Sequence, residues 1–157
     1  MKLAEALALR SDAVKRVEQL RARVQTNARY QEGEEPTEDA NALLAEAGRV
    51  LDQLEDLIRR VNRTNATATV EDGMTLTDAL ARRDVLRLRH AFWSRAADAA
   101  SGRESSSGGF RQLRSELRTL PALPVRELRT AVDELAREHR ELDVKIQRAN
   151  WQADLVD

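Results

Sequence analysis

The segment from residue 38 to residue 64 repeats apolar residues with a strict seven-residue period, and this pattern restricts the segment to a packed α-helix. Leu44, Leu51 and Ile58 add a third apolar position to each heptad. That width is typical of a helix facing the core of a bundle, rather than of the narrow seam of a two-stranded coiled coil. The heptad itself consists of Ala40, Leu43, Ala47, Val50, Leu54, Leu57 and Val61.

Three further segments carry helical periodicity. Residues 3 to 30 contain no glycine or proline, although Arg10 and Arg21 interrupt their apolar stripe. A third helix is predicted from about 76 to 100, and a fourth from Pro124 onward. The third helix has two apolar stripes, which favours contact with more than one neighbour and fits a contact with another subunit. The longer stripe is Leu76, Leu80, Val85, Leu88, Phe92, Ala96 and Ala99, and the shorter one is Ala79, Leu86 and Trp93.

The connections between these helices predict how the helices are arranged. Residues 31 to 39 form a short acidic turn that implies an antiparallel helix pair, with Thr37 as the expected cap of the second helix. Residues 101 to 109 read as a flexible loop and residues 117 to 123 as an extended segment. We therefore predict a single all-α domain over 1–157, an antiparallel bundle of four long helices with coiled-coil-like packing and a short irregular or extended segment before the last helix.

Composition narrows the classes of function. Aromatic residues make up only 3% of the chain, so the core must consist of leucine, valine and alanine. The chain has no cysteine, which excludes disulfides and thiolate metal sites. A net charge of −1 disfavours nucleic-acid binding, which usually requires a basic excess. The sequence shows neither a signal peptide nor a run long enough to span a membrane, so we expect a cytoplasmic protein.

The densest group of polar residues lies between residues 62 and 84. Asparagine and threonine are poor choices inside a helix, so a cluster of them calls for a reason. One interpretation is a structured connection in which side chains cap backbone groups and arginine–aspartate pairs fix the loop. The other is a polar pocket for an anion or small metabolite near the start of the third helix. The candidate ligand-binding residues are Asn62, Arg63, Asn65, Asp72, Thr75, Asp78 and Arg82.

Catalytic and metal-binding motifs are weak. His139 occupies a core heptad position, where a hydrogen-bonded histidine and a ligand are both consistent with the pattern. The Glu-x-x-His motif of di-iron bundles is absent at both histidines. Acid pairs such as Asp52 with Glu55 and Glu138 with Glu141 resemble Mg²⁺ sites of helical pyrophosphohydrolases, but such spacings are common in a chain this charged. We assign no catalytic residue, metal or cofactor, and we lean against an enzyme.

Five sequence blocks are distinctive: MKLAEAL at the start, QEGEEP at 31–36, VNRTN at 61–65, EDGMTLTDALARRD at 71–84 and ELDVKIQRANW at 141–151. Together they resemble a bacterial family of uncharacterised helical proteins that is sometimes labelled septicolysin. The resemblance covers nearly the whole chain and implies a helical fold. The label implies a membrane-active cytolysin.

Three functional hypotheses follow from the sequence. The first is a structural or interaction protein that associates with itself or a partner through its helix faces, and we expect a homo-oligomer. The second is a protein that binds a small ligand or anion through the cluster from Asn62 to Asp84, with or without enzymatic activity. The third is the membrane-active protein that the septicolysin label implies.

Overall fold

A computed structural model describes residues 1–102 and 119–157, and within these ranges the chain forms four α-helices. They are α1 (Leu3–Asn27), α2 (Ala40–Thr67), α3 (Leu76–Ala100) and α4 (Val125–Gln152). The described residues form no extended sheet strand. The predicted all-α class and the four long helices are therefore confirmed.

The described chain divides into two compact units. The first unit comprises Met1–Leu76 together with Gln147–Asp157, and the second comprises Thr77–Ile146. The first unit contains α1, α2 and the last residues of α4. The second unit contains nearly all of α3 and most of α4.

Helices α1 and α2 form an antiparallel hairpin in the first unit. Arg16 binds Glu46, and about two helical turns further toward the connection Arg23 binds Glu38 just before α2, so the residue numbers rise along one helix as they fall toward the start of the other. Burial of apolar side chains between the helices supplies the driving force for this pairing. The fully or nearly fully buried apolar residues of the hairpin are Leu3, Ala6, Leu20, Leu43 and Val61.

The helix ends differ from the predicted ones in ways that hydrogen bonds explain. Helix α2 begins after Asp39, whose carboxylate accepts hydrogen bonds from the backbone amides of Asn41 and Ala42, so the predicted cap at Thr37 is wrong. Helix α1 ends at Asn27 rather than at residue 30. The buried Asn27 side chain donates to the Arg23 carbonyl and accepts from the Glu38 amide at 3.0 Å, which fixes the turn to the second helix.

The connection from α2 to α3 is a tight turn with one antiparallel bridge between Thr69 and Thr75. The Val70 amide donates to the Met74 carbonyl at 2.9 Å, and Gly73 adopts a φ of 75°, which a residue with a side chain rarely adopts. The residues between the two helices are therefore extended on either side of a turn. The helix before it is longer than predicted, because α2 continues through Thr67.

In the second unit, α3 and α4 form another antiparallel hairpin. Arg82 near the start of α3 binds Glu138 in the middle of α4, whereas Asp98 near the end of α3 accepts a hydrogen bond from Arg129 early in α4 at 2.6 Å. The buried apolar residues of this unit are Ala79, Leu86, Ala97, Val132, Leu142 and Ile146.

The segment before α4 is only partly described. Residues 119 to 123 form neither helix nor strand, in agreement with the predicted irregular or extended segment. Residues 101 and 102 form a turn with Gly102 at a φ of 76°. The rest of the predicted loop at 101–109, and residues 117 and 118, lie outside the described residues.

Candidate interaction surfaces and polar cluster

Helix α2 leaves a regular row of apolar side chains in solvent. Leu44, Leu51 and Ile58 are 57%, 48% and 40% exposed, whereas the residues that precede them are buried, for Leu43, or half-buried, for Val50 and Leu57. Residues seven apart share a helix face, and the row extends over about 21 Å at 1.5 Å per residue. We call these three residues the α2 stripe.

Val14 of α1 lies on the same side of the hairpin as the α2 stripe. Arg16 and Glu46 form an ion pair along one edge of the hairpin. Val14 lies two residues before Arg16, and Leu44 lies two residues before Glu46. Two residues correspond to a rotation of about 200° around a helix, so Val14 and Leu44 both face the edge opposite the ion pair. Val14 is 46% exposed. We call Val14 and the α2 stripe together the apolar face.

The edge that carries the ion pairs has a different chemistry. An open groove of about 710 Å³ lies between the two helices there, with Leu9, Ala13, Val50 and Leu57 in its lining and charged residues around it. The lining includes Arg16 and Asp56. The guanidinium of Arg59, hydrogen-bonded to Asp56, holds the pKa of that carboxyl below its usual value.

The same ion-pair edge holds the Arg23–Glu38 pair. The hydrogen bond from Arg23 lowers the pKa of the Glu38 carboxyl, and Glu38 in turn raises the pKa of Arg23. Both side chains remain about one third exposed, so the pair orients the hairpin more than it stabilises it.

Helix α3 carries a second exposed row in the other unit. Val85, Leu88 and Phe92 are 52%, 66% and 67% exposed. They belong to the longer of the two apolar stripes predicted for this helix, whereas Ala79 and Leu86 of the shorter stripe are buried. The shorter stripe thus contributes two buried residues, Leu76 at the start of the longer stripe is also buried, and contact of the longer stripe with a further neighbour stays a prediction. We call Val85, Leu88 and Phe92 the α3 stripe.

Part of the predicted polar cluster holds the last residues of the chain. The Arg63 guanidinium donates to the Asp157 backbone oxygen at 2.9 Å, and Arg60 donates to the Val156 carbonyl at 3.2 Å. Thr64 is buried, donates its hydroxyl to the Arg60 carbonyl at 2.8 Å and accepts the Val156 amide at 3.0 Å. These bonds fasten residues 156–157 to the C-terminal end of α2.

The remaining cluster residues are distributed over both units. Asn62, Asn65, Asp72 and Thr75 belong to the first unit, like Arg63, and Asp78 and Arg82 belong to the second. Arg82 binds Glu138 of α4. Asp72, Thr75 and Asp78 each take part in an interaction within the chain. The role of these residues in binding a ligand stays a prediction.

Two histidines and two arginines line one depression of about 270 Å³ in the second unit, namely His90, His139, Arg87 and Arg140. Such groups have the chemistry to attract an anion. The arginines are exposed and the imidazoles half-buried, so the depression lacks a deeply buried polar group to orient a ligand. Among residues 1–102 and 119–157, no three histidine or acidic side chains are placed to share a metal ion.

The sequence pattern predicted no role for Arg60 or Gly48, and it placed Thr64 in the polar cluster without predicting the hydrogen bond that Thr64 accepts from Val156. The threonine spacing gave a usable signal, because Thr64 and Thr67 can each bond back to the carbonyl four residues earlier and so remain helical. Gly48 gave another signal, since it is a glycine in the middle of an otherwise uninterrupted heptad.

The fold and these surfaces define a class: an all-α protein built from paired antiparallel helices that keep apolar rows in solvent. The chain belongs to a family of unknown function, DUF6847, whose model matches residues 10–155. It is also similar to the crystal structure of a functionally unknown conserved protein from Corynebacterium diphtheriae, with 40% identity, a TM-score of 0.87 and coverage of 99% of each chain. No curated protein matches the chain.

These matches confirm that the chain resembles an uncharacterised family with a bacterial relative. Neither match supports the septicolysin label. None of the helices in the described ranges combines the length and apolar character that a membrane crossing would need.

Proposed function

We propose that this protein is a structural or interaction module that associates with itself through an apolar helix face. The observation that carries the proposal is the α2 stripe: Leu44, Leu51 and Ile58 recur every seven residues and are 40–57% exposed. Scattered exposed apolar residues are normal on a protein surface, but a regular row of them along a helix is typical of a packing seam.

The size of the surface supports a stable assembly. Each helix of the hairpin is about 10 Å wide and α1 is about 37 Å long, so one side of the hairpin presents about 750 Å². That area is close to the roughly 800 Å² per partner found in ordinary specific interfaces. Covering the stripe would remove about 25 cal/mol of unfavourable hydration per Å² of apolar surface.

A matched pair of substitutions on the two edges of the hairpin tests the proposal. Leu51 and Leu9 are equally exposed, at 48% and 50%, but Leu51 lies on the apolar face and Leu9 in the groove at the ion-pair edge. Leu51→Glu places a charge in the packing seam, and a symmetric assembly contains that charge twice. We expect Leu51→Glu to convert the oligomer to monomer at about 10 μM, a loss of at least about 100-fold in affinity.

Light scattering coupled to size exclusion measures the mass of each variant. Leu9→Glu is the control and keeps the wild-type mass, and circular dichroism confirms that both variants retain their helices. If Leu9→Glu dissociates the assembly and Leu51→Glu does not, the apolar face is the wrong surface. A wild-type chain that remains monomeric at every concentration overturns the proposed function itself.

A further inference from the structure

Gly48 lies inside the apolar face without a reason within its own chain. It is four residues after Leu44 and three before Leu51, so it shares their side of α2. Its φ is not in the left-handed region that requires glycine, and a Cβ built there would meet nothing within 4 Å. Glycine is the least favourable residue inside a helix after proline. A close approach by another backbone explains why this position lacks a side chain.

The register of the hairpin shows which residue reaches that gap. Arg16 pairs with Glu46 and Arg23 with Glu38. A residue of α1 is therefore at the same position along the hairpin axis as the α2 residue for which the two residue numbers sum to about 62. Val14 is therefore level with Gly48. A two-fold axis parallel to the helices keeps every residue at its own level while placing α1 of one copy over α2 of the other. The exposed Val14 of each copy then lies over Gly48 of the other.

Charges on the apolar face favour the same arrangement. Arg10 lies four residues before Val14 on α1, and Glu55 lies four residues after Leu51 on α2. Within the described ranges, neither side chain forms an ion pair in its own chain. In the two-fold arrangement, Arg10 of one copy and Glu55 of the other are about one helical turn apart along the helix axes. Each side chain is tilted toward the N-terminus of its own helix, and because the helices are antiparallel, the two charged groups approach each other. Pairing α1 with α1 instead would place arginines against arginines.

Resting on the proposed self-association, we infer that the partner at this face is a second copy of the chain. The two copies form an antiparallel four-helix bundle in which α1 of each copy packs on α2 of the other, Val14 packs over Gly48, and Arg10 pairs with Glu55. The close helix contact at Gly48 lets the leucines of the α2 stripe interdigitate with the facing α1.

The glycine gives a test with effects of opposite sign. Gly48→Ala adds a methyl group that meets nothing in the monomer, so it raises the melting temperature in the monomeric Leu51→Glu background. In the wild-type background the same methyl group pushes Val14 of the other copy away, and the dimer dissociation constant rises about 10-fold. Sedimentation equilibrium measures the constant and circular dichroism the melting temperature. An unchanged or tighter dimer overturns the assignment of Val14 to Gly48.

A charge exchange tests the pairing independently. Arg10→Glu and Glu55→Arg each weaken the dimer by about 10-fold, and the double variant returns to within about threefold of wild type. A double variant weaker than either single variant overturns the α1-on-α2 arrangement. The outcomes distinguish this arrangement from the proposed self-association. A monomeric wild-type chain overturns both. If Leu51→Glu dissociates the dimer but the double charge variant does not restore it, only the α1-on-α2 arrangement is overturned.

Discussion

The α2 stripe and the α3 stripe differ in their flanks more than in their exposure. The α3 stripe is the more exposed, with Leu88 and Phe92 at 66% and 67%, against 57% for Leu44 on α2. Yet Gly48 and Glu55 lie beside the α2 stripe on the same helix, while the neighbouring α1 supplies Arg10. The exposure of a row of apolar side chains indicates that a partner packs on it, and the flanking residues indicate the chemistry of that partner.

The flanks of the α3 stripe are basic. Arg89 and Arg95 lie within a turn of its members, as does Arg82, which is paired with Glu138, and no glycine interrupts α3. A second copy packed on this row would bring arginines together, which disfavours self-association there. We therefore place the second copy on the α2 stripe and not on the α3 stripe.

The largest expected effect contrasts a buried leucine of the first unit with an exposed one of the second. Leu20 is fully buried and Leu88 is 66% exposed. Leu20→Ala removes packed methyl groups and leaves a cavity, so the free energy of unfolding falls by about 2–5 kcal/mol. Leu88→Ala lowers it by less than about 1 kcal/mol. Urea denaturation measures the free energy of unfolding of both variants. Equal decreases would mean that the α3 stripe is buried against a partner in solution, and the contrast between the two stripes would then be wrong.

A smaller effect tests how the first unit is closed. Thr64→Val keeps the side-chain shape but leaves the Val156 amide without its acceptor, which costs about 1–3 kcal/mol of stability. Thr67→Val is the matched control, because Thr67 is exposed and only donates back to carbonyls of its own helix. Thermal unfolding compares the two. If both variants melt like wild type, the C-terminal residues do not stabilise α2, and the structural interpretation of this end of the polar cluster fails.

The smallest expected effect belongs to the α3 stripe in the assembly. Phe92→Glu places a charge on a surface outside the proposed dimer interface, so we expect the dissociation constant to change by less than about twofold. The comparison is with Leu51→Glu in the same sedimentation experiment. A monomeric Phe92→Glu variant would show that exposure alone decides the interface, and the distinction between the two stripes would be lost.

Helical periodicity was enough to predict the four helices, because heptads in α2 and α4 report burial directly. The end of α2 was harder to predict, since Thr64 and Thr67 are poor helix residues that the structure stabilises through hydroxyl bonds to their own helix. The C-terminal contacts of Arg60 and Arg63 join residues more than ninety positions apart, which no local pattern can report.

The candidate surfaces were predicted in outline only. A width of three apolar residues per heptad predicted a helix that faces a bundle core, and in the structure the third apolar position of each heptad is exposed. The sequence did not show which of the α3 rows would be buried, because each row contains leucine and one aromatic residue, and the choice depends on the register against α4. Gly48 became informative only when the space around it was known.

Sedimentation equilibrium of the wild-type chain over a wide concentration range tests the central claim most directly. We predict that the average molar mass rises from that of one chain, 17.7 kDa, toward twice that value as the protein concentration increases. A mass of one chain at every concentration would contradict self-association and would leave the apolar face of α1 and α2 without the partner proposed for it.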